Sequence, residues 1–200
     1  MFVSASGNHT DHLALLKFKE SISSDPYGVL LSWNFIGTFP SCLYNISSLT
    51  VISATANQFT GSLPSNMFHT LPNLQQFYIA LNQVSGTIPP SISNASTLSL
   101  LEIGANQFTG QVPDLEKLQH LFYLGLSQNN LGDNSTNDLK FLKSLKNCSS
   151  LQKLDISDNN FGGQLLHPTQ PVVCWRKSDI RRYSYNNGKS DWLDSIGDGI

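Results

Sequence analysis

The chain has 200 residues, 40% hydrophobic and only 13% charged, and its 12 Lys plus Arg against 14 Asp plus Glu leave a formal charge of −2. This is the size of one ordinary domain; it lacks the basic excess of a phosphate-neutralising nucleic-acid binder, and no run approaches the roughly 18 to 20 apolar residues needed to cross a bilayer. Cys42, Cys148 and Cys174 are too few and too scattered for a disulfide framework, and no CxxC pair suggests zinc.

Met1–Gly7 has the small-residue character of a signal-peptide cleavage region without a basic start or an apolar core. Residues 1–9 therefore read as the remnant of a signal peptide or linker, and the start as truncated. Five N-x-S/T sequons, at Asn8, Asn45, Asn94, Asn134 and Asn147, are candidate glycosylation sites and point to a secretory origin. Residues 10–34 open with a helix pattern. Thr10 can accept from the first free N–H groups, Asp11 suits the positive helix end, and Leu15, Phe18 and Ile22 share a face before Asp25-Pro26 ends it.

The middle of the chain repeats. Segments begin at Leu49, Leu74, Leu98, Leu121 and Leu151, and each keeps one apolar phase: Leu49, Ile52, Ala54; Leu74, Phe77, Ile79; Leu98, Leu101, Ile103; Leu121, Leu124, Leu126; Leu151, Leu154, Ile156. The alternating part predicts one short strand per segment, near 51–54, 76–79, 100–103, 123–126 and 153–156, stacked as a parallel sheet. Three residues beyond each strand stands an Asn: Asn57, Asn82, Asn106, Asn129 and Asn159. Where a closed coil turns, buried N–H and C=O groups need partners, and an amide that donates and accepts can supply them from repeat to repeat. Gly61, Gly86, Gly110 and Gly163 follow in phase, then Leu63-Pro64, Ile88-Pro89 and Val112-Pro113, which read as an extended return leg outside any ladder. No unit can bury its stripe alone, so stability comes from nearest-neighbour stacking.

The pattern LxxLxLxxNxFxGxIPxxLxNxS resembles the leucine-rich repeat in its plant extracellular form. It covers residues 35–164, as one partial and five phased repeats, with Phe35–Ser48 as the second half of a repeat whose strand is absent. Residues 10–34 are similar to that family's N-terminal cap, without the Cys-x-Trp-x-Gly-Val-x-Cys stretch that usually follows. The Asn129–Thr136 and Phe141–Ser149 segments resemble receptor-kinase ectodomains of the elongation-factor-Tu-receptor subfamily. The resemblance implies an α/β repeat fold: a right-handed solenoid with a short parallel sheet on its concave face, a helical N-terminal cap and an irregular C-terminal tail.

After Gln164 the phase is lost. Residues 165–200 carry 9 charged side chains and two of the three tryptophans, Trp175 and Trp192, with no apolar period. They read as out-of-frame or intron-derived sequence, expected to be largely disordered, in preference to a folded C-terminal cap or a basic-aromatic docking tail. Gly188-Lys-Ser190 lacks the earlier glycine of a phosphate loop, the five His show no metal spacing, and no kinase signature occurs. No catalytic residue, metal or cofactor is expected. Cys42 and Cys148 read as small buried hydrophobes, and Lys140, Lys143 and Lys146 as a solvated stripe opposite Leu139, Leu142 and Leu145.

A parallel array exposes the residues between its buried positions. Among these, Gln76, Tyr78, Glu102, Tyr123, Lys153 and Asp155 are the candidate ligand contacts, aromatic anchors with flanking charges. The resemblance implies the recognition module of a plant receptor-like serine/threonine kinase on the outer face of the plasma membrane or in the cell wall. Its partners would be a peptide or protein ligand and a co-receptor ectodomain, with no nucleic acid and no direct membrane contact. The alternatives are a secreted inhibitor of a hydrolase, similar to polygalacturonase-inhibiting proteins, and a truncated product without activity.

Overall fold

The computed structural model describes residues 36–162, and the backbone pairing of two short strands outside that span. The helix pattern of 10–34, Asn8, Gly163, Cys174 and the tail reading lie outside the described residues, Trp175–Arg176 excepted; so does the Cys42 side chain.

Fifteen buried positions build the coil. Every apolar residue of the five triplets named above is buried, and the residues between them face outward. That alternation makes β3 (Leu49–Ser53), β5 (Gln76–Tyr78), β7 (Leu100–Glu102), β9 (Tyr123–Gly125) and β11 (Lys153–Asp155), paired in parallel in chain order. The register is unbroken: Ile52, Phe77, Leu101, Leu124 and Leu154 stand opposite one another. Each fully buried Leu, Ile or Phe contributes about 1.5–3 kcal/mol relative to exposure.

Both edges of this sheet are paired, and both antiparallel. β1 (Phe2–Ala5) lies along β3, and β12 (Trp175–Arg176) along β11. The repeat phase gives neither, because edge pairing asks only for extended backbone beside a row of free N–H and C=O groups.

A second set of ladders follows the strands. β6 (Ser85–Thr87), β8 (Gln107–Gly110) and β10 (Asn130–Leu131) form a parallel three-stranded sheet, and β2 (Ile36–Thr38) pairs with β4 (Gln58–Thr60). These ladders lie ahead of the Leu-Pro leg, which stays outside them as its prolines predict. The glycines lie inside or at the end of a ladder, and the prolines only begin beyond it. Gly86 shows why glycine is required: its φ is +80°, and a Cβ would lie 3.1 Å from the Ser62 Cβ of the preceding repeat. The return legs are mostly short helical turns: Ser41–Asn45 and Pro90–Asn94 as 3-10 helix, Met67–Thr70 and Phe141–Ser144 as α-helix, the last continuing through Leu145–Asn147. Leu139, Leu142 and Leu145 are buried while Lys140 and Lys146 are exposed.

Candidate ligand-binding face

The asparagines of the coil tie each turn to the preceding repeat. The Asn106 amide nitrogen donates to Ile103 O (3.1 Å) and Gly104 O (3.2 Å) in its own repeat and to Ile79 O (2.9 Å) in the preceding one, while its Oδ1 accepts the Val84 N–H at 3.0 Å. Asn82, Asn129 and Asn159 do the same for Phe59, Phe108 and Leu131. Asn57, Asn106 and Asn129 are buried, Asn82 and Asn159 half-buried. The residue before each of the five, Ala56, Leu81, Ala105, Gln128 and Asp158, is left-handed, with φ between 50° and 57°. No residue type marks that position in the sequence; the amide bonds hold a backbone that costs a side-chain-bearing residue about 1–2 kcal/mol.

On the exposed side of the sheet the six candidate contacts fall into two rows. Gln76, Leu100, Tyr123 and Lys153 share one register, and Tyr78, Glu102, Gly125 and Asp155 the next. Adjacent members interact rather than stand free. The Tyr123 hydroxyl donates to Glu102 Oε2 at 2.5 Å, and Glu102 Oε1 accepts the Gly104 N–H at 2.8 Å. Tyr78 donates to Gln76 Oε1 at 3.3 Å, and Asp155 Oδ1 accepts from the Ser157 hydroxyl at 2.7 Å. Lys153 is exposed.

Gly104 and Gly125 make this arrangement possible. A Cβ on Gly125 would overlap the Glu102 carboxylate and the Tyr123 hydroxyl, and one on Gly104 would meet Glu102 Oε1 at 2.8 Å. The sequence shows glycine at two positions in phase with the outward-facing residues, which is the only signal available; that both are buried as the floor under one carboxylate needs the register.

A second polar centre escapes the sequence reading. Asp138 is 1% exposed and accepts N–H bonds from Asp133, Ser135 and Gly162, the Ser135 hydroxyl and the Gln111 amide. Burial alone would raise its pKa, but the bonds from Gly162, Gln111, Asp133 and Ser135 outweigh it and hold the carboxyl well below the usual range. Cys148 is buried with Sγ 3.5 Å from Leu115 O, and burial, with the Asp114 charge behind it, pushes its thiol up to about 11, so it is no nucleophile. Among the described residues no cluster of three His, Cys, Asp or Glu could hold a metal, and no helix is long and apolar enough to cross a membrane. Asn45, Asn94, Asn134 and Asn147 are exposed.

Comparison with known proteins places this architecture. The leucine rich repeat N-terminal domain matches residues 8–42, and the leucine rich repeat residues 150–170. An Arabidopsis thaliana protein named as a receptor-like protein kinase is 53% identical over 49 residues, 24% of this chain and 5% of the relative. The leucine-rich-repeat receptor-like serine/threonine-protein kinase EFR of the same plant is 43% identical over 49 residues, again 24% and 5%. The Arabidopsis receptor kinase HAESA, solved in complex with the peptide hormone IDA and the co-receptor SERK1, superposes with a TM-score of 0.59 and 26% identity over 78% of this chain and 30% of that one. The match thus spans a twentieth of the length of the curated relatives. Phased LxxLxL strands, an asparagine in every turn and these likenesses together give the chain a leucine-rich-repeat solenoid fold, similar to that of plant receptor-kinase ectodomains.

Proposed function

We propose that this chain is part of the extracellular recognition surface of a plant receptor kinase and binds an extended peptide or a protein loop along the concave sheet, with a co-receptor ectodomain as second partner. The observation that carries this reading is the two rows, in which Gln76, Tyr123 and Lys153 lie beside Tyr78, Glu102 and Asp155 on four of the five parallel strands, all in one register. Five strands about 4.8 Å apart present roughly 19 Å, the length of about six extended residues. Aromatic rings already held by neighbours lose little rotamer freedom on binding, which favours them as anchors. The receptor kinase HAESA was solved in complex with a peptide hormone and a co-receptor, and this likeness supports the same partner classes here. The role is recognition rather than catalysis, at the outer face of the plasma membrane or in the cell wall.

A displayed random-peptide library panned on the purified chain tests this. Peptides it enriches should bind Tyr78→Ala/Tyr123→Ala about tenfold or more weakly, since each tenfold loss is about 1.4 kcal/mol. Unchanged capture would move the site off the sheet.

A further inference from the structure

Each repeat turns back at one equivalent residue. Ile46, Leu71, Ala95, Leu118 and Cys148 are buried, and each carbonyl accepts the N–H of the leucine opening the next repeat, at 2.9 to 3.2 Å. The residue just before each is therefore in the same structural place in every repeat: Asn45, Thr70, Asn94, Lys117 and Asn147. The three asparagines are exposed, alternate along the row, and each opens a sequon, Asn45-Ile-Ser47, Asn94-Ala-Ser96 and Asn147-Cys-Ser149. Asn134 lies off this row, in the loop after β10. Alternate repeats are about 10 Å apart at the strand spacing, enough for side-by-side sugars.

The row borders a furrow of about 470 Å³, lined by Ser96, Glu116, Lys117, Gln119, His120 and Asn147. That volume lies in the roughly 300–1,000 Å³ range of small-ligand sites, and the lining is about half polar and half apolar where such sites are mostly apolar. Its one carboxylate and one ammonium are both engaged: Asn147 Nδ2 donates to Glu116 Oε1, and Lys117 Nζ to Asn94 Oδ1, each at 2.9 Å. With those charges opposed and the hydroxyl, amide and imidazole groups interspersed, the furrow suits a neutral polyhydroxylated ligand. Asn147 Nδ2, the atom that N-glycosylation substitutes, stands on its wall. A sugar attached there is delivered to the furrow at high effective concentration.

We propose that Asn45, Asn94 and Asn147 carry a row of N-linked glycans, and that the furrow seats the first sugars of the Asn147 glycan, closing this face to protein partners. The donor is a lipid-linked diphosphate oligosaccharide. The bond from the sugar C1 to the diphosphate oxygen breaks, a C1–Nδ2 bond forms, one amide proton is lost, and the lipid diphosphate leaves. This rests on the extracellular reading above, and the two fail differently.

The test is to secrete the full chain from plant cells behind an added signal peptide, weigh its glycopeptides, and follow hydrogen exchange in residues 116–120. Ser149→Ala removes the acceptor sequon while keeping the Asn147 side chain, and Asn147→Gln removes the acceptor itself. Expected are glycans at all three row positions, and exchange at 116–120 at least threefold slower in the glycosylated chain than in both variants. Secreted chain with no glycan on any sequon overturns the extracellular reading with the row. Glycan elsewhere but missing from Asn45, Asn94 or Asn147 overturns the row alone. An occupied Asn147 with equal exchange in the glycosylated chain and both variants overturns the seat.

Discussion

The regular repeats between 49 and 131 and the loop that follows β10 close their backbones by different chemistry. In the repeats, each turn closes on a neutral amide; around 132–138 it closes on the Asp138 carboxylate. An amide donates and accepts, so one residue can join its own repeat's carbonyls to the previous repeat's N–H, and the device stacks indefinitely. A carboxylate only accepts. It serves where several donors converge on one point, here from Gln111, Asp133, Ser135 and Gly162 in three successive repeats. The regular solution is therefore independent of pH, and the irregular one is not.

The largest break in that comparison is expected from Asp138→Ala, which leaves several donors without their acceptor at a cost of about 3 kcal/mol, read as a fall in the denaturant midpoint. Because the folded carboxyl titrates well below its unfolded value of about 4, the stability it contributes is fully present above that value and lost as pH falls through and below it. The gap between the parent chain and Asp138→Asn should accordingly narrow from pH 5 to pH 3. A gap that stays constant over that range would remove the carboxylate from the account.

Asn106→Ala comes next, at about 1–3 kcal/mol with the same value at pH 4 and pH 7, because nothing it contacts titrates. Glu102→Ala should cost clearly less, at most about 1 kcal/mol, since Glu102 and Tyr123 are both only half-buried. Equal midpoints for these two would contradict the ranking of turn over face. Gly86→Ala should fall between them at about 1–2 kcal/mol, through the left-handed φ and the approach to Ser62. The smallest effect is expected from Ala105→Gly, within about 0.5 kcal/mol of neutral: relief at φ 50° is offset by the freer unfolded chain. Thermal melts of this pair separate backbone strain from lost contacts.

Most of the coil was legible because its signal is periodic. Leu101 or Ile103 alone says little, but five triplets in one phase with an asparagine at one offset admit a single parallel register, and the strands lie within two residues of the expected spans. The candidate contacts were legible as outward-facing positions for the same reason, though all but Lys153 are half-buried. That Tyr123 and Glu102 are one hydrogen-bonded unit over Gly125 was not, because the residues are 21 apart and meet only through the register.

What the sequence determined by itself is whatever repeats: the strand phase, the buried stripe and the turn asparagines, each dictated locally by alternation and by the need to pair buried backbone. What only the tertiary structure decided is whatever occurs once or lies between repeats. The second ladders at 58–60, 85–87 and 107–110, the left-handed residue before each asparagine and the antiparallel edges carry no residue signature of their own. Asp138 is the clearest case. In the chain it is one acid among 14, and it becomes a buried anchor only because stacking brings Gln111, Asp133, Ser135 and Gly162 around it. Local pattern fixes each turn, whereas convergence of donors across three turns is a property of the stack.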